Sequence, residues 1–125
     1  SGGDVKKVLK DLEDKLYGCV MVCHHRSLDW SYLRDNRLTE NLHFKPLGVF
    51  DTLSFEKNKM SFDNEFQLHN SSLTLAACRT RHGLPIYTSH HAMDDAIACA
   101  ELFLAQATKI KPHNEKLRFL LKQSR

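Results

Sequence analysis

Long apolar runs are missing from this 125-residue chain. A membrane-spanning helix needs about 18 or more consecutive apolar residues, and no stretch approaches that. No secretory leader is expected at the start, where Ser1-Gly2-Gly3 reads as a cloning remnant or linker. Glycine is scarce, five residues in all and scattered, so no glycine-rich loop is available to cradle a phosphate. The G-x-S-x-G turn that exposes a nucleophilic serine is absent. There is no C-x-x-C, and no two histidines stand four residues apart, so the spacings of a structural zinc site are missing. Internal repeats and low-complexity segments are absent as well.

The four cysteines do not form a disulfide framework. Cys19 and Cys23 fall in one strand-like run, where a rise of 3.3 Å per residue would set them about 13 Å apart, too far to bridge. Cys78 and Cys99 fall in helical patterns. Buried, reduced thiols are expected, and with them a cytoplasmic setting. Composition is 42% hydrophobic and 26% charged, ordinary for one globular domain of this length. A net charge of +3 permits a nucleic-acid partner without requiring one. From Lys109 to Arg125 there are six Lys/Arg and one Glu, so residues 111–125 read as a basic tail or a solvated helix.

Apolar spacing predicts the elements. Val5, Val8, Leu9, Leu12 and Leu16 mark an amphipathic helix of about four turns, stopped by Gly18. Cys19-Val20-Met21-Val22-Cys23 is apolar throughout, as in a strand covered on both faces of an α/β sheet. The turn His24-His25-Arg26 leads to Ser27, the expected N-cap of a helix carrying Leu28, Trp30, Tyr32 and Leu33. Gly48-Val49-Phe50 reads as a short strand that passes through Asp51-Thr52 into a brief helix. Residues 57–70 read as an exposed loop. Ser72 is the expected cap of a helix with Leu73, Leu75, Ala76 and Ala77, ended by Gly83-Leu84-Pro85. A last long helix is expected from near Ser89, with Ala92, Ala96, Ala100, Phe103 and Ala107 as its packing face.

Two places invite chemistry. The first is the start of that last helix, where His90 is followed five residues later by Asp95. A base and a carboxylate one turn apart suit metal-assisted phosphodiester cleavage. Asp94 and Asp95 project about 100° apart, so only one faces any cleft. Asp95 shares its ridge with Ala92, Cys99 and Leu102, and a carboxylate on a buried ridge needs a partner or a metal. An acidic first turn that merely caps the helix is the plainer alternative. The second place is Cys23-His24-His25-Arg26-Ser27-Leu28-Asp29, where a buried strand ends in polar residues. Ligands of open α/β sheets bind at such carboxyl ends. Taken alone, Asp29 reads as a capping carboxylate.

Together these segments carry a resemblance. The order strand, HHRSLD, DT, SL, RHGLP and HHAMDDA with an alanine-rich helix resembles the DEDD-type 3′–5′ exonucleases with a catalytic histidine. That superfamily includes the proofreading epsilon subunit of bacterial DNA polymerase III, which acts in replication and repair. The likeness runs over residues 4–110. It implies an α/β, helix-rich, ribonuclease H-like exonuclease fold acting on single-stranded or 3′-ended DNA or RNA. It also implies two Mg²⁺ or Mn²⁺ ions held about 4 Å apart by four carboxylates. On this likeness His90 is the general base, Asp29 and Asp95 are metal-site carboxylates, and Asp94 has no role. His25 stands where the family often has asparagine and Leu28 where it often has phenylalanine. His24 and His25 are the expected contacts to the terminal nucleotide.

The family's first motif, Asp-x-Glu on an apolar strand, has no counterpart here. Asp51-Thr52-Leu53 has leucine in place of the glutamate. Asp63-Asn64-Glu65 has the letters but falls in a polar stretch after the second motif. Two aspartates cannot neutralise two divalent ions as four carboxylates do. The expectation is therefore an incomplete exonuclease domain lacking its first strands, weak or inactive alone. Pairing with a second copy through the uncovered sheet would hide its apolar edges. A non-catalytic nucleic-acid- or protein-binding module is the alternative.

Overall fold

The computed structural model describes residues 2–25, 31, 35, 44, 46–63, 70–87, 91–110 and 117–125. It is helix-rich, with a small parallel two-stranded sheet, and compatible with an α/β fold. The chain divides into two compact units: Ser1–Met21 with Arg26–Val49, and Val22–His25 with Phe50–Arg125. Among the described residues, no helix is long and apolar enough to cross a membrane.

In the first unit, helix α1 spans Gly2–Leu16. Leu9, Leu16 and Phe44 are buried together, with Leu12 and Met21 packed against them. Val5 and Val8 fit the helical period but are exposed, so the buried face is narrower than the spacing suggests. Gly18 ends the helix at φ +74°, a left-handed conformation that costs glycine little. Strand β1 follows at Val20–Cys23. The chain then returns as strand β2, Gly48–Asp51. Residues 24–47 are long enough for the crossover that a parallel pair needs. The Leu47 N–H donates to the Cys19 carbonyl at 2.8 Å just before the paired strands. Val20, Met21 and Val22 are only half-buried, so β1 is not fully covered on both faces as its apolar run suggests. Cys19 stays exposed, while Cys23, Cys78 and Cys99 are buried as expected.

In the second unit, β2 runs directly into helix α2, Thr52–Asp63. A 3₁₀ turn, Asn70–Leu73, precedes helix α3, Leu75–Arg81. Helices α4, Ala92–Ala107, and α5, Leu117–Lys122, complete it. Helix α4 packs against both α2 and α3. Phe50 is fully buried, with ring centroids 5.9 Å from Phe55 and 4.8 Å from Phe103. Burial of such a ring is worth about 1.5–3 kcal/mol and fixes where α2 and α4 meet the strand.

Several expectations change here. Residues 57–63 continue α2 rather than opening a loop. The helix shows no apolar stripe in that stretch because tertiary polar contacts hold it. Asn58 donates through Nδ2 to the Arg125 carbonyl at 2.8 Å. Thr74, not Ser72, caps α3, its Oγ1 accepting from the Ala77 N–H at 3.1 Å; Ser72 lies in the preceding 3₁₀ turn. Gly83, at φ +71°, closes the helix as expected, and the Leu84 N–H reaches back to the Arg79 carbonyl. Helix α4 starts at Ala92 with His91 as its cap residue, and buries Ala98, Cys99, Leu102 and Gln106. The alanines expected to pack, Ala92, Ala96 and Ala100, are exposed. Alanine gains little by leaving water, so the larger Leu102 and Phe103 decide which side turns inward. The helix expected after Ser27 lies outside the described residues.

Candidate functional site at the carboxyl ends of the strands

The polar residues after β1 and β2 converge in the second unit. Asp51, almost fully buried, caps α2: its Oδ1 accepts the N–H of Leu53 at 3.0 Å and of Ser54 at 3.4 Å. The same oxygen accepts the His25 N–H at 2.9 Å, and Oδ2 accepts the Ser54 hydroxyl at 3.1 Å. This carboxylate therefore joins the turn after β1 to the start of α2. His25 takes a left-handed conformation, φ +83°, and its side chain is exposed.

Thr52 is fully buried, and its hydroxyl donates to the Cys23 carbonyl at 3.0 Å. His24 lies between two oxygens, with Nδ1 2.7 Å from Thr52 Oγ1 and Nε2 2.7 Å from the Leu73 carbonyl. A carbonyl only accepts, so Nε2 carries a proton. Burial pushes the His24 pKa below its ordinary value, against the raising influence of the Leu73 bond. Both ring nitrogens already face protein oxygens, so a ligand reaching His24 meets the ring's edge or displaces one of these contacts.

Thr52 Oγ1 also lies 3.8 Å from the Cys99 sulfur on α4. One turn earlier on that ridge stands Asp95, half-buried, about 6 Å back along the helix axis. Asp94 is exposed. No hydrogen bond or ion pair holds the Asp95 carboxylate among the described residues. Tyr87 is near enough for Asp95 to reinforce the upward shift of its phenol, which burial drives first.

A second polar cluster lies behind this edge. Glu56, buried on α2, accepts from Arg81 Nε at 3.1 Å, from Gln106 Nε2 at 3.2 Å, and pairs closely with His82 Nε2. Gln106 also donates to the Thr52 carbonyl at 2.9 Å, tying α4 to the start of α2. The Cys78 thiol beside this cluster is pushed up to about 12, by burial first and by Glu56 second, so it is a packing residue and not a nucleophile.

Of the residues singled out in sequence, His24 and His25 meet at the strand ends and Asp95 lies on the inward ridge of α4. Asp29 and His90 lie outside the described residues, as do Asn64 and Glu65. Asp63 closes α2 rather than lying in a loop. Among the described residues no group of three or more His, Cys, Asp or Glu is placed to hold a metal. The polar contacts of Glu56, Arg79, Arg81, His82 and Gln106 have no motif to announce them. Gln106 had a signal: it repeats the ridge of Asp95, Cys99 and Leu102, and a polar side chain there needs a partner.

No family model matches the chain, and no solved structure matches it. Among curated proteins it is similar to the 3′-5′ exonuclease DinG of Staphylococcus epidermidis, 29% identical over 105 residues. It is similarly 28% identical to the 3′-5′ exonuclease DinG of Staphylococcus aureus. Both alignments cover 84% of this chain and 11% of the relative, so the chain spans about a tenth of the length of these relatives.

Proposed function

We propose that this chain carries part of a metal-dependent 3′–5′ exonuclease site, on a ribonuclease H-like framework related to the DNA polymerase III epsilon subunit. It would release nucleoside monophosphates from the 3′ end of DNA or RNA. The observation that supports this most is the register of α4. Asp95 lies one turn from Cys99, which touches Thr52 and through it the His24 turn at the strand ends. The similarity to DinG covers most of the chain that builds this arrangement.

In this reading Asp29 and Asp95 would hold the metal and His90 would take a proton from the attacking water. Asp95 offers a hard oxygen donor with no partner among the described residues, which suits Mg²⁺ or Mn²⁺. When bound, such ions lower the pKa of water and neutralise charge on the leaving 3′ oxygen. His25, exposed beside the site, contacts the terminal nucleotide, while His24 holds that turn in place. Two aspartates are half of a four-carboxylate set, so turnover by this chain alone is expected to be slow.

The test is release of label from 3′-end-labelled single-stranded DNA and RNA with Mn²⁺. Slow mononucleotide release from the 3′ end is expected, reduced about 100-fold or more in His90→Ala and Asp95→Ala. Release from the 5′ end, or a wild-type rate in Asp95→Ala, would overturn the reading. So would a chain that neither releases nucleotide nor binds oligonucleotide at low salt.

A further inference from the structure

The basic stretch from Lys109 to Arg125 is anchored near its far end. Arg118 and Lys122 on α5 are exposed, as is Arg125, but Ser124 is fully buried. A buried hydroxyl needs hydrogen-bond partners, and this one has two. Its Oγ accepts the Asp51 N–H at 3.2 Å and donates to the Leu121 carbonyl at 3.4 Å within its own turn. Asn58 on α2 holds the same segment, its Nδ2 donating to the Arg125 carbonyl at 2.8 Å and reaching the Gln123 carbonyl at 3.5 Å.

Asp51 is also the residue whose carboxylate holds the turn after β1. While its N–H is given to Ser124, its Oδ1 accepts the N–H groups of His25 at 2.9 Å and Leu53 at 3.0 Å. Only a short side chain separates that carboxylate from the backbone, so fixing the Asp51 backbone narrows where its oxygens can lie. Asp51 is 3% exposed, so water does not readily replace a lost acceptor at its N–H. His25 needs this support. Its φ of +83° is uncommon for a residue with a Cβ, and persists where neighbouring contacts over-determine it. Two successive hydrogen bonds thus join Ser124 to the backbone of an exposed histidine at the strand ends.

We infer that Ser124 is a positioning residue for the site: it anchors Asp51, and through Asp51 it sets the turn that presents His25 to nucleic acid. The part that concerns nucleic acid rests on the exonuclease reading; the link from Ser124 to His25 does not. A packing role alone would spread the loss of Ser124 over the whole unit. A positioning role confines it to the joint of Asp51 and His25.

Amide hydrogen exchange of the full chain, read by NMR, separates the two. In Ser124→Ala the amides of Asp51, His25 and Leu53 are expected to exchange about tenfold faster, while those of α4 keep their wild-type rates. Asn58→Ala, at an exposed position, shifts the same three amides by less, and carries both arms of the test if the buried substitution unfolds the chain. The second arm is affinity for oligothymidylate in EDTA, which prevents cleavage. Ser124→Ala is expected to weaken binding about threefold, the scale of one hydrogen bond. In a His25→Gly background it costs no further affinity, because it acts through His25. Unchanged exchange at His25 in both variants overturns the proposal and leaves the exonuclease reading standing. So does acceleration shared equally by α4, or affinity that Ser124→Ala leaves unchanged or lowers equally in both backgrounds. Faster exchange confined to the joint, in a chain whose wild type binds no oligonucleotide, keeps the link between Ser124 and His25 and overturns the exonuclease reading.

Discussion

The Thr52 hydroxyl lies between two acceptors, 2.7 Å from Nδ1 of His24 and 3.0 Å from the Cys23 carbonyl. Because Nε2 must donate to the Leu73 carbonyl, a neutral ring takes the Thr52 hydrogen at Nδ1, and a charged ring leaves it with Cys23. The protonation of His24 and the direction of one buried hydroxyl are thus coupled. Through them the end of β1, the start of α2 and the 3₁₀ turn are held together.

Thr52→Val keeps the shape and removes the hydroxyl. It is expected to destabilise the fold by about 1–3 kcal/mol, since it strands buried polar partners, while Thr52→Ser loses less. Urea denaturation of the three proteins measures this. Equal midpoints would show that the His24 contact contributes nothing.

The pH dependence of His24 has a definite sign. Burial holds its folded pKa below the ordinary 6.5, so the unfolded chain binds a proton first as pH falls. The stability contributed by neutral His24 is complete above 6.5 and is lost as pH falls from 6.5 toward the folded pKa. Comparing unfolding of wild type and His24→Gln between pH 7.5 and 5 isolates this residue from the other histidines. The wild type should lose more stability than the variant across that interval.

Glu56→Ala leaves Arg81, His82 and Gln106 facing an empty site. The expected loss is about 3 kcal/mol, at the low end for breaking a buried pair because the Arg81 side chain is 32% exposed. Glu56→Gln retains hydrogen bonding and loses less. Thermal melts of both variants check the order, and a milder effect for alanine than for glutamine would contradict it.

His25→Gly separates structure from binding. Glycine relieves the left-handed backbone, worth about 1 kcal/mol, and keeps the N–H that Asp51 accepts. The expected result is equal or higher thermal stability with weaker oligonucleotide binding. Unchanged affinity would remove His25 from the proposed site.

Much of the local structure was legible. The spacing of Leu9, Leu12 and Leu16 and the stop at Gly18 locate α1, and Gly83 locates the end of α3. The β2–α2 junction at Asp51-Thr52 was legible too, since a carboxylate before a helix is a natural cap. The length of α2 was not, because Glu56 and Asn58 anchor it through polar contacts that leave no apolar period. The inward face of α4 was legible only along the Asp95–Cys99–Leu102 ridge, and the alanine pattern pointed to the wrong side. At the site, the meeting of His24 and His25 with the strand ends followed from chain order alone. That both His24 nitrogens are occupied did not.

The sequence by itself determined where α1 forms and stops, the β2–α2 junction, the end of α3, and that polar residues gather after β1. Those are properties of neighbouring residues: apolar period, caps and left-handed glycine. Tertiary structure alone decided that His24 meets Thr52 and Leu73, that Glu56 collects Arg81, His82 and Gln106, and that Arg79 is buried with its guanidinium carbon 5.4 Å from the centre of the Tyr87 ring. Such pairings join residues far apart in the chain. A buried polar group must find an acceptor or donor somewhere, but nothing in its own neighbourhood says which one.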